Sequence, residues 1–161
     1  MADTALVHVP IETHLGQFLA GFSDDGLAEL NFPHRHPPQP RLIEKHQSLP
    51  SVKRCLLQIL SGQHPEQFPE MDLSAGTEFQ QSVWLEILKI PMGQTLTYGK
   101  IAGNLNNRDA VRAVGMACGA NPIPVIIPCH RVLAAGGKIG GFSSGLDWKY
   151  KLLQIEGLAL L

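Results

Sequence analysis

The sequence predicts an α/β protein: a small N-terminal antiparallel sheet with one helix, followed by a mostly helical C-terminal domain that contains a helix-turn-helix. Three observations lead to this prediction. Short apolar runs alternate with turn residues near the N-terminus, apolar residues recur at helical spacing further along, and two short helical segments meet at a pair of asparagines. With 161 residues, the chain is long enough to bury a core as one domain or as two small ones.

The N-terminal runs predict three strands. They cover residues 5–9, 17–22 and 26–32, and the turn residues 23–26 separate the last two, as in an antiparallel meander. Residues 34–40 form a loop, because three of its last four residues are prolines, which cannot continue a strand ladder or a helix. The two histidines of this loop lack nearby cysteine or carboxylate partners, so we expect them to face solvent rather than bind a metal.

A helix and a linker complete the N-terminal part. Apolar residues at helical spacing indicate a helix over residues 48–60, whereas the proline-containing stretch 63–76 has few large apolar residues and is typical of a surface linker. We therefore predict an accessory α/β domain over residues 1–75 and a second domain over residues 76–161.

The second domain is predicted to open with a strong helix. Thr77 and Gln80 have the spacing of a capping box, in which each side chain bonds the other residue's backbone N–H. Residues 90–93, which include a proline and a glycine, end this helix. Its apolar stripe consists of Phe79, Val83, Ile87 and Leu88.

A helix-turn-helix is predicted next. Thr97 caps a short helix over residues 100–103, residues 105–107 form the turn, and residues 108–118 form the second helix. In this motif the second helix usually enters a groove of DNA, although many helix pairs merely pack against each other. The motif alone therefore leaves both interpretations open.

The second helix carries mostly small side chains, and Arg108 and Arg112 are the only residues expected to project far from it. Small residues let a helix backbone come close to DNA, but they also allow close packing against the domain core. A long cation on a small face favours DNA, because an arginine can fill the space of a displaced base. The small residues are Ala110, Ala113, Gly115, Ala117 and Gly119.

Charge and cysteine content narrow the class of protein. The formal net charge is −1, but residues 1–76 carry 5 basic against 9 acidic side chains, and residues 77–161 carry 8 against 5. The basic second part gives mild support to phosphate contacts. The three cysteines form no close pair, which argues against a disulfide scaffold and a cysteine-based zinc site. Without a long apolar segment or a secretory pattern, we expect the protein in the cytoplasm, or in the nucleus of a eukaryote.

The most informative motif is Pro-Cys-His-Arg-Val at residues 128–132. A free cysteine is mostly protonated near neutral pH, whereas its thiolate is a strong nucleophile. His130 can take the proton of Cys129, directly or through one water, if another group orients the imidazole ring. The competing interpretation is a buried cysteine in a core strand, which is the common fate of cysteines.

The wider pattern resembles the O6-alkylguanine-DNA alkyltransferases, also called methylated-DNA–protein-cysteine methyltransferases. The resemblance runs from about residue 77 to residue 157 and includes Asn-Pro-Ile-Pro, which begins at Asn121. It implies that Cys129 accepts the alkyl group irreversibly from a flipped-out guanine, once per molecule. It further implies that Glu156 orients His130 and that Asn121 bridges the helix-turn-helix to the active-site loop.

The same resemblance implies the DNA contacts. Arg112 matches an arginine finger that replaces the flipped nucleotide, and Tyr98 matches a tyrosine that pushes on the target phosphate and contacts the extruded guanine. Ala113 and Gly115 lie on the matching helix, which enters the minor groove in this family.

The glycine-rich stretch 134–145, hereafter the substrate loop, resembles the family's substrate-binding loop, in which backbone groups read the guanine edge. Phe142 stands where the family often has tyrosine, and the resemblance implies that Phe142 and Ser143 bind the substrate together with Tyr98. The missing hydroxyl removes one hydrogen bond that a tyrosine at this position offers.

These residues predict a DNA-repair enzyme that acts as a monomer on duplex DNA carrying O6-alkylguanine, with no cofactor, no metal and no membrane contact. One alternative is a non-catalytic alkylated-DNA damage sensor, but those relatives carry tryptophan at the position of Cys129. Another is a cysteine hydrolase with a Cys-His-Glu triad. It is disfavoured because such families do not place nucleophile and base side by side in the chain.

Overall fold

The structure is a computed structural model that describes residues 5–158. It opens with an antiparallel sheet in the order β1–β2–β3, formed by Val7–Thr13, Gly16–Ser23 and Gly26–Asn31. The predicted meander is therefore confirmed. A register shift lies between Gly21 and Phe22, where the second strand bends over the core.

One helix covers this sheet. Helix α1 spans Leu49–Leu60, so it begins one residue after the predicted start, and Pro50 occupies its first turn, where the missing N–H is tolerated. Its apolar face lies against the sheet as the periodicity predicts. The buried residues of that face are Val52, Cys55, Leu56, Ile59 and Leu60.

Helix α2 spans Glu78–Leu88 and begins with the predicted capping box. The Thr77 hydroxyl accepts from the Gln80 backbone N–H at 3.1 Å. The Gln80 side-chain amide oxygen accepts from the Thr77 backbone N–H at 2.9 Å. The predicted apolar stripe of α2 is only partly confirmed. Trp84, which the prediction left out, is buried, whereas Phe79 and Leu88 are half-buried. The Trp84 indole N–H donates to the Ala117 carbonyl at 2.8 Å, which ties α2 to the second helix of the helix-turn-helix.

The helix-turn-helix is present, with two differences from the prediction: its first helix begins at residue 98 rather than 100, and its second helix is interrupted at its start. Helix α3 spans Tyr98–Asn104 and is capped by Thr97, and Asn106 provides the left-handed turn at φ 57°. The second helix does not run continuously from residue 108: a 3₁₀ turn at Arg108–Ala110 leads into α4, Val111–Gly119. A 3₁₀ turn at a helix start tightens the entry without extending the α-helix.

The rest of the chain carries the cysteine motif. Residues 125–127 are buried, as predicted, and a 3₁₀ turn at Cys129–Arg131 leads into the short strand β5, Val132–Leu133. Strand β5 pairs in parallel with β4, Leu96–Thr97, a pairing that the sequence did not predict. The substrate loop follows, and helix α5, Leu146–Ile155, closes the fold.

The N-terminal and C-terminal parts are in direct contact. The Leu30 backbone N–H of β3 donates to the Pro122 carbonyl at 2.9 Å, immediately beside Asn121. A single hydrophobic cluster includes Phe18 and Phe32 from the sheet and Ile127 and Val132 from the cysteine motif. The N-terminal sheet therefore packs directly behind the segment that carries Cys129. Among residues 5–158, the structure contains no helix with the length and apolar character that a membrane crossing requires.

Candidate active site

The Cys129 sulfur is hydrogen-bonded to Asn121. The residue is 6% exposed and begins a 3₁₀ turn, not a core strand. The Asn121 side-chain N–H lies 3.1 Å from the Cys129 sulfur and 2.9 Å from the Ile127 carbonyl, and the Asn121 oxygen accepts from the Ile123 N–H at 2.9 Å. Asn121, which directly follows α4 and Ala120, thus links the helix-turn-helix to the cysteine segment.

The thiol is protonated in the resting protein. Burial raises the pKa of Cys129 to about 11, while the Asn121 hydrogen bond and the charge of Lys149 act in the opposite direction. Cys118, a second buried thiol, has a pKa that burial raises to about 12, and its interaction with Cys129 adds to the shift. Neither sulfur is a free thiolate at neutral pH, so activation of Cys129 requires a group that accepts its proton.

His130 and Glu156 form a buried pair. His130 Nε2 lies 2.7 Å from Glu156 Oε2, and the two side chains are 0% and 1% exposed. Burial lowers the pKa of His130, against the opposing effect of Glu156, so the resting imidazole is neutral. Because Nε2 must donate to the carboxylate, the lone pair lies on Nδ1. Nδ1 is buried and has no hydrogen-bond partner among the residues that the structure describes.

Arg131 is a functional residue that the sequence reasoning did not assign. Its Nε and Nη2 atoms donate to Glu156 Oε1 and Oε2 at 2.8 and 2.9 Å, and Nη1 donates to the Ile90 carbonyl at 2.6 Å. Burial acts to raise the pKa of Glu156, but the hydrogen bonds from His130 and Arg131 outweigh it and lower the pKa to about 2. The carboxylate is therefore ionised, and its bidentate arginine pair fixes its orientation.

Lys149 is the second residue that the sequence reasoning missed. Its side chain is fully buried, and Nζ donates to the carbonyls of Val132, Ile139 and Gly141 at 2.8, 2.6 and 3.0 Å. Burial lowers its pKa to about 8, and interactions with the two buried thiols act in the opposite direction. The sequence held one clue to the role of Lys149, which lies three residues before Leu152 on the buried face of α5. A lysine on an apolar helix face requires a specific partner.

Tyr98 borders the substrate loop. Its half-buried ring lies so close to Gly140 that a Cβ at that position would stand 3.1 Å from the Tyr98 hydroxyl, and Gly140 has φ +70°. Burial raises the pKa of Tyr98, whereas a backbone hydrogen bond from Gly141 lowers it. Tyr98 therefore supplies a neutral phenol beside the loop. Phe142 of the same loop is half-buried, and Ser143 is exposed.

A cavity of about 300 Å³ opens between the N-terminal sheet and the cysteine segment. Asn121, which contacts the Cys129 sulfur, forms part of its wall, whereas Cys129 itself does not line the cavity. Other lining residues are Asn31, Arg35, Gly119, Pro124 and Ser143.

The face of α4 that was expected to approach DNA is separate from this cluster. Arg112 and Ala113 are exposed and Gly115 is half-buried, whereas Ala117 is buried and therefore belongs to the core-facing side. The expectation that only two arginines project was wrong, because Met116 is 71% exposed on the face of Arg112, one turn along. The structure thus joins Asn121 to Cys129 and His130 to Glu156, and it leaves the predicted DNA-contacting residues on α4 apart from both pairs.

Two comparisons by sequence bear on this site. A family model described as "6-O-methylguanine DNA methyltransferase, DNA binding domain" matches residues 78–158. A methylated-DNA–protein-cysteine methyltransferase of Methanosarcina acetivorans is 40% identical over 149 residues, which is 91% of this chain and 95% of that protein. The similarity therefore extends beyond the cysteine motif into the N-terminal sheet.

Comparison with solved structures gives the same result. OGT from Mycobacterium tuberculosis, crystallised in complex with DNA, is 34% identical with a TM-score of 0.81 and covers 92% of this chain and 91% of its own. The O6-methylguanine-DNA methyltransferase of Pyrococcus kodakaraensis is 27% identical with a TM-score of 0.69 and covers 95% of this chain and 99% of its own. The predicted fold class is thereby confirmed along nearly the whole chain.

Proposed function

The chain belongs to the 6-O-methylguanine DNA methyltransferase family, and we propose that it repairs O6-alkylguanine in duplex DNA by accepting the alkyl group on Cys129. The assignment to these residues rests on the hydrogen bond from the Asn121 side-chain N–H to the Cys129 sulfur. The His130–Glu156 pair begins at the next residue of the chain. The sensor alternative is not favoured, because the nucleophile and every group needed to activate it are present.

Activation begins with the neutral thiol. The Cys129 proton passes to His130 Nδ1 through one water, since Nδ1 holds the lone pair and lacks a partner among the described residues. The resulting imidazolium is stabilised by the ionised Glu156, which Arg131 holds in place. The Asn121 N–H and the ammonium of Lys149 stabilise the thiolate, as the downward contributions to the pKa of Cys129 indicate.

Alkyl transfer is then an in-line displacement at carbon. The Cys129 sulfur attacks the alkyl carbon, the bond between that carbon and guanine O6 breaks, and the bonding electrons move onto the base. A proton then reaches the base, so that the thiol hydrogen replaces the alkyl group overall. Tyr98, whose phenol is neutral, is placed to donate a hydrogen bond to the departing guanine.

The protein is used once. The product is a thioether at Cys129, and the neighbouring thiol of Cys118 is buried and protonated, with a pKa of about 12. A protonated thiol is a poor nucleophile and does not displace a thioether. We therefore expect one alkyl group per chain and no return to the free thiol.

Helix α4 is the element that contacts the DNA. Arg112 and Gly115 lie on its outer face, where the small side chains around them allow close approach to a narrow groove. Arg112 occupies the space that the flipped nucleotide leaves, and the alkylated base enters between Cys129 and the substrate loop.

The working form and compartment follow from the substrate. One chain carries the nucleophile, its activating groups and the DNA-facing helix, so we propose that a monomer is active. Because the substrate is genomic DNA in a reducing environment that keeps thiols free, we propose the cytoplasm, or the nucleus in a eukaryote, as its location.

Intact-protein mass spectrometry tests the assignment. The full chain is incubated with a duplex that contains one O6-methylguanine, beside Cys129→Ala as the matched control. We expect the wild type to gain the mass of one methyl group, to stop at one per chain, and the control to gain none. Binding of the damaged duplex without any mass gain would instead establish a sensor.

A further inference from the structure

The N-terminal part contacts the substrate loop through two side chains of one segment, residues 32–35. Arg35 donates through Nη1 to the Ser143 carbonyl, and His34 Nε2 lies 3.1 Å from the Ser144 carbonyl. Both acceptors are backbone oxygens of the loop. The partners are more than a hundred residues apart in sequence, so these contacts join the two parts of the fold across the mouth of the cavity.

His34 is itself held in position. The Trp148 indole N–H donates to His34 Nδ1 at 3.2 Å, and the two rings stack at 6.3 Å between centroids with 11° between their planes. Since Nδ1 accepts from Trp148, Nε2 carries the hydrogen and donates to Ser144. The imidazole therefore connects α5 to the loop in one defined orientation.

A ring contact adds an apolar attachment beside the two hydrogen bonds. Phe32 meets Phe142 of the substrate loop edge to face, with centroids 6.1 Å apart and 81° between the planes. On the inner side, Lys149 bonds the Ile139 and Gly141 carbonyls. The loop is thus held from inside by α5 and from outside by residues 32–35.

The substrate loop needs such support. Gly136, Gly137, Gly140 and Gly145 all have positive φ, and glycine-rich backbone loses more conformational freedom on ordering than other sequence. Ser144 is the one buried residue of the loop, so burial contributes little to keeping its shape. A loop that reads a base through backbone groups must nevertheless present them in one arrangement.

We propose that residues 32–35 brace the substrate loop in the shape that receives the alkylguanine, with Arg35 and His34 as positioning residues for alkyl transfer. This role rests on the proposed function. It assigns a task in the reaction to the N-terminal part, whose described residues, from 5 onward, make no side-chain hydrogen bond to Cys129, His130 or Glu156.

One competing role for Arg35 can be separated experimentally. Its guanidinium is exposed and lines the cavity, so it could instead contact a DNA phosphate. A phosphate contact affects only reactions on DNA, whereas a brace affects any alkylguanine that enters the loop. The free base O6-benzylguanine, which has no phosphate, therefore distinguishes the two.

The experiment compares Arg35→Ala, Arg35→Lys and His34→Ala with Arg54→Ala, an exposed arginine on α1, as the matched control. The second-order rate of Cys129 alkylation is measured with an O6-methylguanine duplex and with O6-benzylguanine. We expect Arg35→Ala to lower both rates about tenfold, as loss of a charge-assisted hydrogen bond does. Arg35→Lys recovers part of the loss, and Arg54→Ala changes neither rate.

Two further readouts keep a folding defect apart from a positioning defect. The urea midpoint of Arg35→Ala should match that of the control, while amide hydrogen exchange across residues 139–145 should speed up. A rate loss on duplex alone assigns Arg35 to DNA contact, and unchanged rates with both substrates exclude the brace. If the wild type itself is never alkylated, the proposed function fails rather than the brace.

Discussion

The cluster around Glu156 and the outer face of α4 are built in opposite ways. The side chains of Glu156, His130 and Arg131 are buried and pair with one another, so each has an internal reason for its identity. The side chains of Arg112 and Met116 are exposed, and within residues 5–158 neither side chain makes a hydrogen bond or an ion pair. The fold accounts for the residues of the Glu156 cluster. For the residues on the outer face of α4, the proposed contact with DNA supplies the reason.

Gly115 of α4 is another residue whose identity the fold does not require. A Cβ added there would meet nothing within 4 Å, and the residue does not have positive φ, so the fold does not require glycine. A glycine inside a helix costs about 1 kcal/mol relative to alanine. The fold therefore does not fix the identity of residue 115, and DNA binding is the property to test there.

The largest effect is expected in the buried cluster. Glu156→Ala leaves the Arg131 guanidinium buried and without its partner, so the free energy of unfolding should fall by about 3–5 kcal/mol. Urea denaturation at neutral pH measures the change, and Glu44→Ala, an exposed glutamate, serves as control. Alkylation of Cys129 should be abolished in any folded fraction. A loss no greater than the control's would show that the pair does not stabilise the fold.

Acid should weaken the same cluster. The folded pKa of Glu156 is about 2, below an unfolded value of about 4.3. The unfolded chain therefore binds the proton more readily, and this contribution is complete above about pH 5 and disappears as pH falls toward 2. We expect about 3 kcal/mol from this residue. Urea titrations from neutral to acid pH should show a steeper decline for the wild type than for Glu156→Gln.

The outer face of α4 should give the opposite result. Arg112→Ala is expected to change the free energy of unfolding by less than about 0.5 kcal/mol, because the side chain is exposed. Alkyl transfer from duplex DNA should fall by about tenfold or more, while transfer from free O6-benzylguanine stays unchanged. Equal losses on both substrates would mean that Arg112 acts on the cysteine cluster rather than on DNA.

The smallest effect on DNA binding is expected for Gly115→Ala. Helix propensity predicts a gain of about 0.5–1 kcal/mol in unfolding free energy, since the added methyl group meets no neighbour. The methyl group also stands on the surface that approaches DNA, so affinity for the duplex should drop several-fold. Urea denaturation and fluorescence anisotropy with a labelled duplex measure the two effects. A stabilised variant with undiminished affinity would remove Gly115 from the interface.

Local sequence patterns predicted most of the elements, because each depends on residues within a turn or two of one another. The capping box at Thr77, the cap at Thr97 and the left-handed turn at Asn106 all formed where their residue types indicated. The 3₁₀ entry into α4 and the exposure of Met116 were not predicted. Both depend on how the helix packs against α2 and α3, which its own small, weakly patterned sequence does not show.

Sequence patterns predicted the fold class and the nucleophile, and the family resemblance predicted the partners of the nucleophile. The tertiary structure alone decided how the supporting groups are arranged: Arg131 on Glu156, Lys149 on three carbonyls, and Arg35 with His34 on the substrate loop. Backbone carbonyls are chemically the same at every residue. A side chain that binds them across a long sequence separation therefore leaves no motif at the acceptor, and only the folded chain shows which carbonyls it reaches.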